Sequence, residues 1–154
     1  RSLQVASINA FCRFLGETRN TVHCRDSEPK QCASESVQFI KKEYPETKKI
    51  CFVGFQPALV DAFSKEYELK VLDLDKDNID KVFFGQKILD GSKNIEEPLR
   101  WADLVLATGT TVVNGAIDSI LKIRDKDSVV FYGVTIAGVA ATMRLNRMCF
   151  AKEQ

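Results

Sequence analysis

The sequence predicts an α/β fold, a three-layer sandwich built on a mostly parallel sheet of about five strands and preceded by two helices. Three observations predict it. From Lys49 onward, short β-branched runs alternate with helical stretches, the pattern of βαβ units. The runs are almost continuously apolar and bounded by Gly, Asp or Pro, as strands buried on both faces are. Before Lys49, apolar residues recur at helical spacing instead.

Residues 3–15 carry Leu3, Ala6, Ala10, Phe11 and Phe14 on one helical pattern, with Gly16 placed to end it. The polar, aperiodic ETRNTVHCRDSE (17–28) predicts a loop. A second helix is expected from Pro29 to Tyr44, with Ala33, Val37, Ile40 and Tyr44 on one face and Pro45 as its stop. Strands follow at KICFV (49–53), LKVLDL (69–74), DLVLAT (103–108) and SVVFYG (128–133), with a last one near MCFA (148–151). Helices fit between them at Pro57–Tyr67, Glu96–Trp101, Val112–Arg124 and Ala137–Leu145. In the third, Val113, Ile117, Ile120, Leu121 and Arg124 fall at helical spacing, so one stripe can pack on the sheet. Gly115 inside that helix costs about 1 kcal/mol against Ala, which points to close approach by another segment. Residues 75–95 read as a loop with one short strand around Lys87–Leu89. The expected division is a helical leader (1–45), the trailing helices of an upstream domain or a linker, then the main domain (46–154).

The 154 residues, 45% of them hydrophobic, suffice for one main domain with a real core. Basic and acidic residues number 22 and 21, and neither end forms a basic block, which gives nucleic-acid binding little support, and no nucleic-acid partner is expected. Five cysteines, an odd count with no signal peptide ahead of them, fit a reduced cytoplasmic setting. No apolar stretch approaches the roughly 20 residues that span a bilayer, so no membrane partner is expected. The opening RSLQVASINAFCRF lacks an initiator Met and runs straight into an amphipathic pattern, so the chain reads as a piece of a longer protein.

With the usual strand order 3-2-1-4-5, the KICFV and DLVLAT strands are neighbours and the chain reverses direction between them, where open α/β sheets bind ligands. The loops that would meet there are GFQP (54–57), DLDKDN (73–78), TGTTVVNG (108–115) and YGVTIAG (132–138). Any one of them is explained by a Gly turn and a hydroxyl cap; together they favour a ligand crevice. GFQP is not G-x-G-x-x-G, Pro57 removes a helix-terminal N–H, and no P-loop occurs, so a standard nucleotide fingerprint is absent. Asp73 or Asp75, about 20 residues beyond Gly54, stands where an acid binds ribose hydroxyls, although a solvated turn acid is the plainer reading. Thr108, Gly109, Thr110, Thr111 and Asn114 offer hydroxyls, an amide and free N–H groups at a helix start with no Lys or Arg, a place for an oxyanion or a neutral polar ligand. A second candidate is His23, Cys24 and Cys32, soft donors for Zn²⁺ or another thiophilic metal, with Cys12 and Cys51 elsewhere. C-x7-C beside one His matches no standard finger, and inert buried cysteines are the competing reading. The only histidine is His23 and no G-x-S-x-G is present, so classical hydrolase chemistry is not expected.

VGFQPALVDAF (53–63), VLDLDKDNI (71–79), WADLVLATGTTVVNGAID (101–118) and VVFYGVTIAG (129–138) resemble the Rossmann-like domain of the putative heavy-metal chelation family, a largely archaeal and anaerobic-bacterial group. INAFCRFLG (8–16) is similar to the helix that precedes this domain in the family. The resemblance implies a Rossmann-like fold and an upstream domain similar to the N-terminal domain of enolases. A cleft between the two would serve chelation of a heavy-metal ion or a related small molecule. The positions it carries over are Gly54, Gln56, Pro57, Thr108, Gly109, Thr110, Asn114, Gly133 and Thr135. Expected partners are therefore a small molecule or metal ion, the upstream domain and a second copy in a homodimer. Two alternatives stay open: an enzyme using a nucleotide or S-adenosylmethionine with Asp73 or Asp75 on the ribose, and a scaffold domain that only makes contacts.

Overall fold

The predicted strand runs have little polar surface to turn to water, and they assemble into one seven-stranded sheet in the computed structural model, which describes residues 1–22 and 28–150. The strands are β1 (Lys49–Val53), β2 (Glu68–Asp73), β3 (Val82–Phe83), β4 (Gln86–Asp90), β5 (Leu104–Thr108), β6 (Val129–Tyr132) and β7 (Asn146–Met148). Their spatial order is β3-β4-β2-β1-β5-β6-β7. Only the β3–β4 pairing is antiparallel. With that small hairpin set aside, the chain starts in the middle, winds outward through β2 and β4, and returns to wind the other way from β5, so β1 and β5 flank the switch point.

The sheet has two more strands than expected. Of the two, β4 falls on the short strand expected around Lys87–Leu89, and β3 comes from a hairpin turn that hydrophobic patterning does not register. Phe84 and Gly85, at φ 53° and 75°, form a two-residue turn between the paired Phe83 and Gln86, the doubly positive geometry of a type I′ hairpin. The strand near the C-terminus lies at Asn146–Met148, a little before MCFA, and pairs with β6.

Seven helices cover the sheet among the described residues: α1 (Ser2–Phe14), α2 (Glu28–Glu43), α3 (Pro57–Phe63), α4 (Glu96–Trp101), α5 (Thr111–Asn114), α6 (Ala116–Ile123) and α7 (Ala137–Met143). The single helix expected at Val112–Arg124 is two helices. Gly115 takes a left-handed φ of 88° between them, so it breaks the helix instead of sitting inside it. The expected close approach is present as well: a Cβ there would lie 2.6 Å from the Arg1 guanidinium.

Alternation along β1 divides the core. Ile50 and Phe52 join α2 and α3 in one cluster, where Phe52 and Phe63 meet edge to face at 5.5 Å. Ala33, Val37 and Ile40 of α2 belong to this cluster. Cys51 and Val53 face the other side, with Leu99, Ile120 and Ile136 from the α4, α6 and α7 side. The third layer extends to α1, which packs on α7 at Gly138, where a Cβ would stand 2.8 Å from Ile8 Cγ2. The outer face of α1 stays bare: Leu3 is 81%, Phe11 63% and Phe14 86% exposed. None of the described helices is long and apolar enough to cross a membrane.

Candidate functional site

The loops leaving β1, β2, β5 and β6 meet at the carboxyl rim. Gly54, at φ 102°, turns the chain out of β1 while its amide donates to Leu72 O of β2 at 2.8 Å. A Cβ at Gly54 would sit 2.5 Å from Thr108 Cγ2, so only glycine lets the β1 and β5 loops close to this distance. From β6, the Tyr132 hydroxyl reaches across and donates to Gly54 O at 2.7 Å. Tyr132 is buried, and that burial, with the Asp73 charge as a smaller cause, raises its phenol well above the ordinary range. Its hydroxyl is therefore a fixed, protonated strut. Gln56 caps α3 by accepting from Leu59 N at 2.6 Å.

These contacts frame a crevice of about 370 Å³, lined by Gly54, Gln56, Asp73, Thr108, Thr110, Thr111 and Asn114 of the predicted residues. The side chains divide by whether the loops already use them. Thr111 is buried, and its hydroxyl donates to Thr108 O at 2.8 Å, so it holds the turn together. Asn114 Oδ1 accepts from Ala116 N at 3.0 Å, which starts α6 after the Gly115 break. Asp73 Oδ1 accepts from the Leu74 and Asp75 amides at 2.7 and 3.2 Å, and Oδ2 accepts from Asn78 Nδ2 at 2.9 Å. Thr110 is the most available, its hydroxyl donating only a long 3.4 Å bond to Thr108 Oγ1. Asp75 is exposed in the following turn, accepting from Asp77 N at 2.9 Å, and Pro57 is exposed as the first residue of α3; neither lines a rim cavity.

A second cavity, of about 340 Å³, lies on the other side of the β5 loop and takes in Gly109, Gly133, Thr135 and Cys32. It shares Gln56, Thr108, Thr110 and Tyr132 with the first. Two side chains set its rim. Asn9 of α1 donates from Nδ2 to Thr135 O at 2.8 Å and accepts from Gly138 N at Oδ1 at 2.7 Å. Arg147 donates to Gly133 O at 2.9 Å and to Asn20 O at 2.7 Å, and burial lowers its pKa from the usual value. Sequence reasoning did not select Tyr132, Leu74, Gly91 or Ile95 for the first cavity, nor Met148 or Cys149 for the second. Tyr132 stood inside the quoted YGVTIAG, and a tyrosine ending a buried strand requires a hydroxyl partner, which was the available signal.

A family model with the description "Putative heavy-metal chelation", DUF364, matches residues 38–145, more than half of the chain and all of the rim loops. The chain belongs to the DUF364 family. Two solved DUF364 proteins share its fold. One, of unknown function, from Pyrococcus horikoshii, is 24% identical with a TM-score of 0.61, over 88% of this chain and 47% of the other. The second, from Desulfitobacterium hafniense and also of unknown function, is 22% identical with a TM-score of 0.51, over 70% and 41%. The chain thus spans about half the length of the DUF364 structures it matches. No curated protein matches it.

A DUF364 description naming heavy metals invites a test of the donors. The first cavity is lined by hydroxyls, amides, one carboxylate and apolar groups, with no thiol, thioether or imidazole among the described residues. Such oxygen donors do not fit a bare thiophilic ion. His23 and Cys24 lie outside the described residues; Cys32, the third of that predicted set, lines the second cavity. Among the described residues no group of three His, Cys, Asp or Glu side chains gathers as a metal site.

Proposed function

We propose that this domain binds a small polar ligand in the rim crevice between β1 and β5, within the heavy-metal chelation for which its family is described. The observation that carries the reading is the convergence of the β1, β2 and β5 loops, with Tyr132 from β6, on one cavity at the switch point of the sheet. Its lining has no Lys or Arg, and Asp73 adds negative charge, so recognition is by hydrogen bonds from Thr110, Asn114 and backbone groups. A metal suits this crevice as the centre of an organic chelate rather than as a bare ion. Isothermal titration with di- and tricarboxylates, each alone and loaded with Ni²⁺ or Co²⁺, tests the reading. Binding heat is expected from at least one, lost in Thr110→Val with the melting temperature kept. No heat from any of them, with an unmoved melting temperature, overturns it.

A second reading, an enzyme that uses a nucleotide or S-adenosylmethionine, draws on Asp73 at the end of β2, the position of ribose-binding acids. Three protein N–H groups already occupy its carboxylate, which weakens that role. S-Adenosylmethionine titration with the Asp73→Asn variant decides it: binding that survives the substitution removes the ribose role. As partner we propose the upstream enolase-N-terminal-like domain, seated on the bare apolar face of α1; the length of the solved relatives supports it. A reduced, cytoplasmic setting suits the free thiols Cys12, Cys32, Cys51 and Cys149.

A further inference from the structure

The crevice has a neighbour of different character. The second cavity, of about 340 Å³, adjoins it along Gln56, Thr108, Thr110 and Tyr132, which line both. Between the two stands the turn after β5, whose middle residue, Gly109, is held down on the next loop. Its amide donates to Tyr132 O at 2.8 Å, and a Cβ there would lie 2.9 Å from Ile136 N. Asp73 is the one charged side chain on either lining among the described residues, and it belongs to the crevice alone. Most polar groups around the second cavity are already engaged. Ser36 Oγ donates to Cys32 O at 2.7 Å, and Tyr132 Oη donates to Gly54 O at 2.7 Å. Gln56 Oε1 accepts from Leu59 N, and the carbonyls of Gly133, Thr135 and Cys149 accept from Arg147, Asn9 and Asn20. Beyond the shared residues, this wall offers an occupant mainly the carbon and sulfur surface of Pro29, Cys32, Leu59, Val134 and Met148.

We infer that the ligand has two parts, a polar chelating head that sits in the crevice and an uncharged apolar arm that crosses Thr110 into the second cavity. The inference rests on the crevice reading and names the class of ligand that crevice takes. The wall sets the chemistry of the arm. A charged or strongly polar arm would leave water for groups whose hydrogen bonds are already made, and would regain few partners there. An apolar arm takes water off carbon and sulfur surface, a gain of about fourfold in affinity per methylene buried. Volume favours one occupant across both spaces. At about 370 and 340 Å³, each alone stands at the small end of ligand cavities, which run from about 300 to 1,000 Å³. Thr110 marks the crossing: it is exposed, it lines both cavities, and its hydroxyl is engaged only by the 3.4 Å bond to Thr108 Oγ1. It is therefore placed to bond the atom that joins head to arm.

The test is a calorimetric titration with Ni²⁺ complexes of iminodiacetate whose nitrogen carries a methyl, butyl or hexyl group. Affinity should rise at least tenfold from methyl to hexyl. Val134→Phe, which fills the second cavity from a half-buried loop position, should abolish that rise and leave the methyl complex unchanged. The unsubstituted chain gives an independent measure, because its two methionines stand apart: Met148 lines the second cavity and Met143 lines a groove beside α1. With ¹³C-methyl methionine and the diamagnetic Zn²⁺ complexes, the Met148 signal should move with the hexyl compound and not with the methyl one, while Met143 stays. Equal affinity along the series, a rise that survives Val134→Phe, or an unmoved Met148 signal overturns the arm and leaves the crevice reading standing. Absence of binding by every complex overturns both.

Discussion

Tyr132 and Gly54 carry the rim between them. Tyr132→Phe removes the donor to Gly54 O and leaves a carbonyl short of its partner, a loss of about 1–2 kcal/mol expected in urea unfolding. Gly54→Ala meets two obstacles, a φ of 102° and the Thr108 methyl 2.5 Å away. Its cost should be about 2 kcal/mol or more, and Thr108→Ser in the same chain should recover only the steric part. Burial also gives the chain an alkaline limit. Cys51 keeps its proton to about 12 when folded and to about 9 when unfolded. Above pH 9 the unfolded chain therefore binds fewer protons than the folded one. Stability is whole below that pH and declines between about 9 and about 12, with Tyr132 adding to the decline above about 10. Urea midpoints taken from about pH 8 to about pH 10.5 should fall, and the fall should be shallower in Cys51→Ala. Glycine and threonine in the rim loops were legible because their backbone and capping uses are local. The Tyr132 strut was not, because its acceptor lies 78 residues away.

At the level of elements, β1, β2, β5 and β6 were legible because a strand buried on both faces leaves an apolar run that nothing else in the sequence imitates. Of the β3–β4 hairpin only β4 was legible, since Phe84 in the turn accepts a positive φ that its residue type does not advertise. The α5–α6 break was half legible: Gly115 announced a close approach, but its left-handed φ follows from the tertiary path. Gly115→Ala should cost about 1 kcal/mol from the backbone alone, because the Arg1 guanidinium near the new methyl can swing aside. Asn9 ties α1 by one bond to Thr135 in the loop before α7 and by another to Gly138 in the first turn of α7, so Asn9→Ala should cost about 1–3 kcal/mol. Amide exchange at Gly138 should accelerate with it, since Gly138 N is one of the donors.

For the molecule as a whole, the bare Leu3, Phe11 and Phe14 make α1 the stickiest surface described. Phe11→Ser with Phe14→Ser should lower dye binding by the folded chain and its tendency to self-associate at high concentration, with little change in melting temperature. The order of the sheet was foreseeable because parallel crossovers admit few paths. The pairing of two cavities was not, since it depends on how loops from opposite ends of the chain meet. That shared wall has a thermodynamic consequence. Gln56, Thr108, Thr110 and Tyr132 face both spaces, so an occupant that shifts them on one side alters the fit on the other. By linkage any such influence is mutual and equal: the factor by which an occupant of the crevice changes the hold on an occupant of the second cavity is the factor by which the second changes the hold on the first. Two cavities that share one tyrosine wall are thus coupled in whatever they hold.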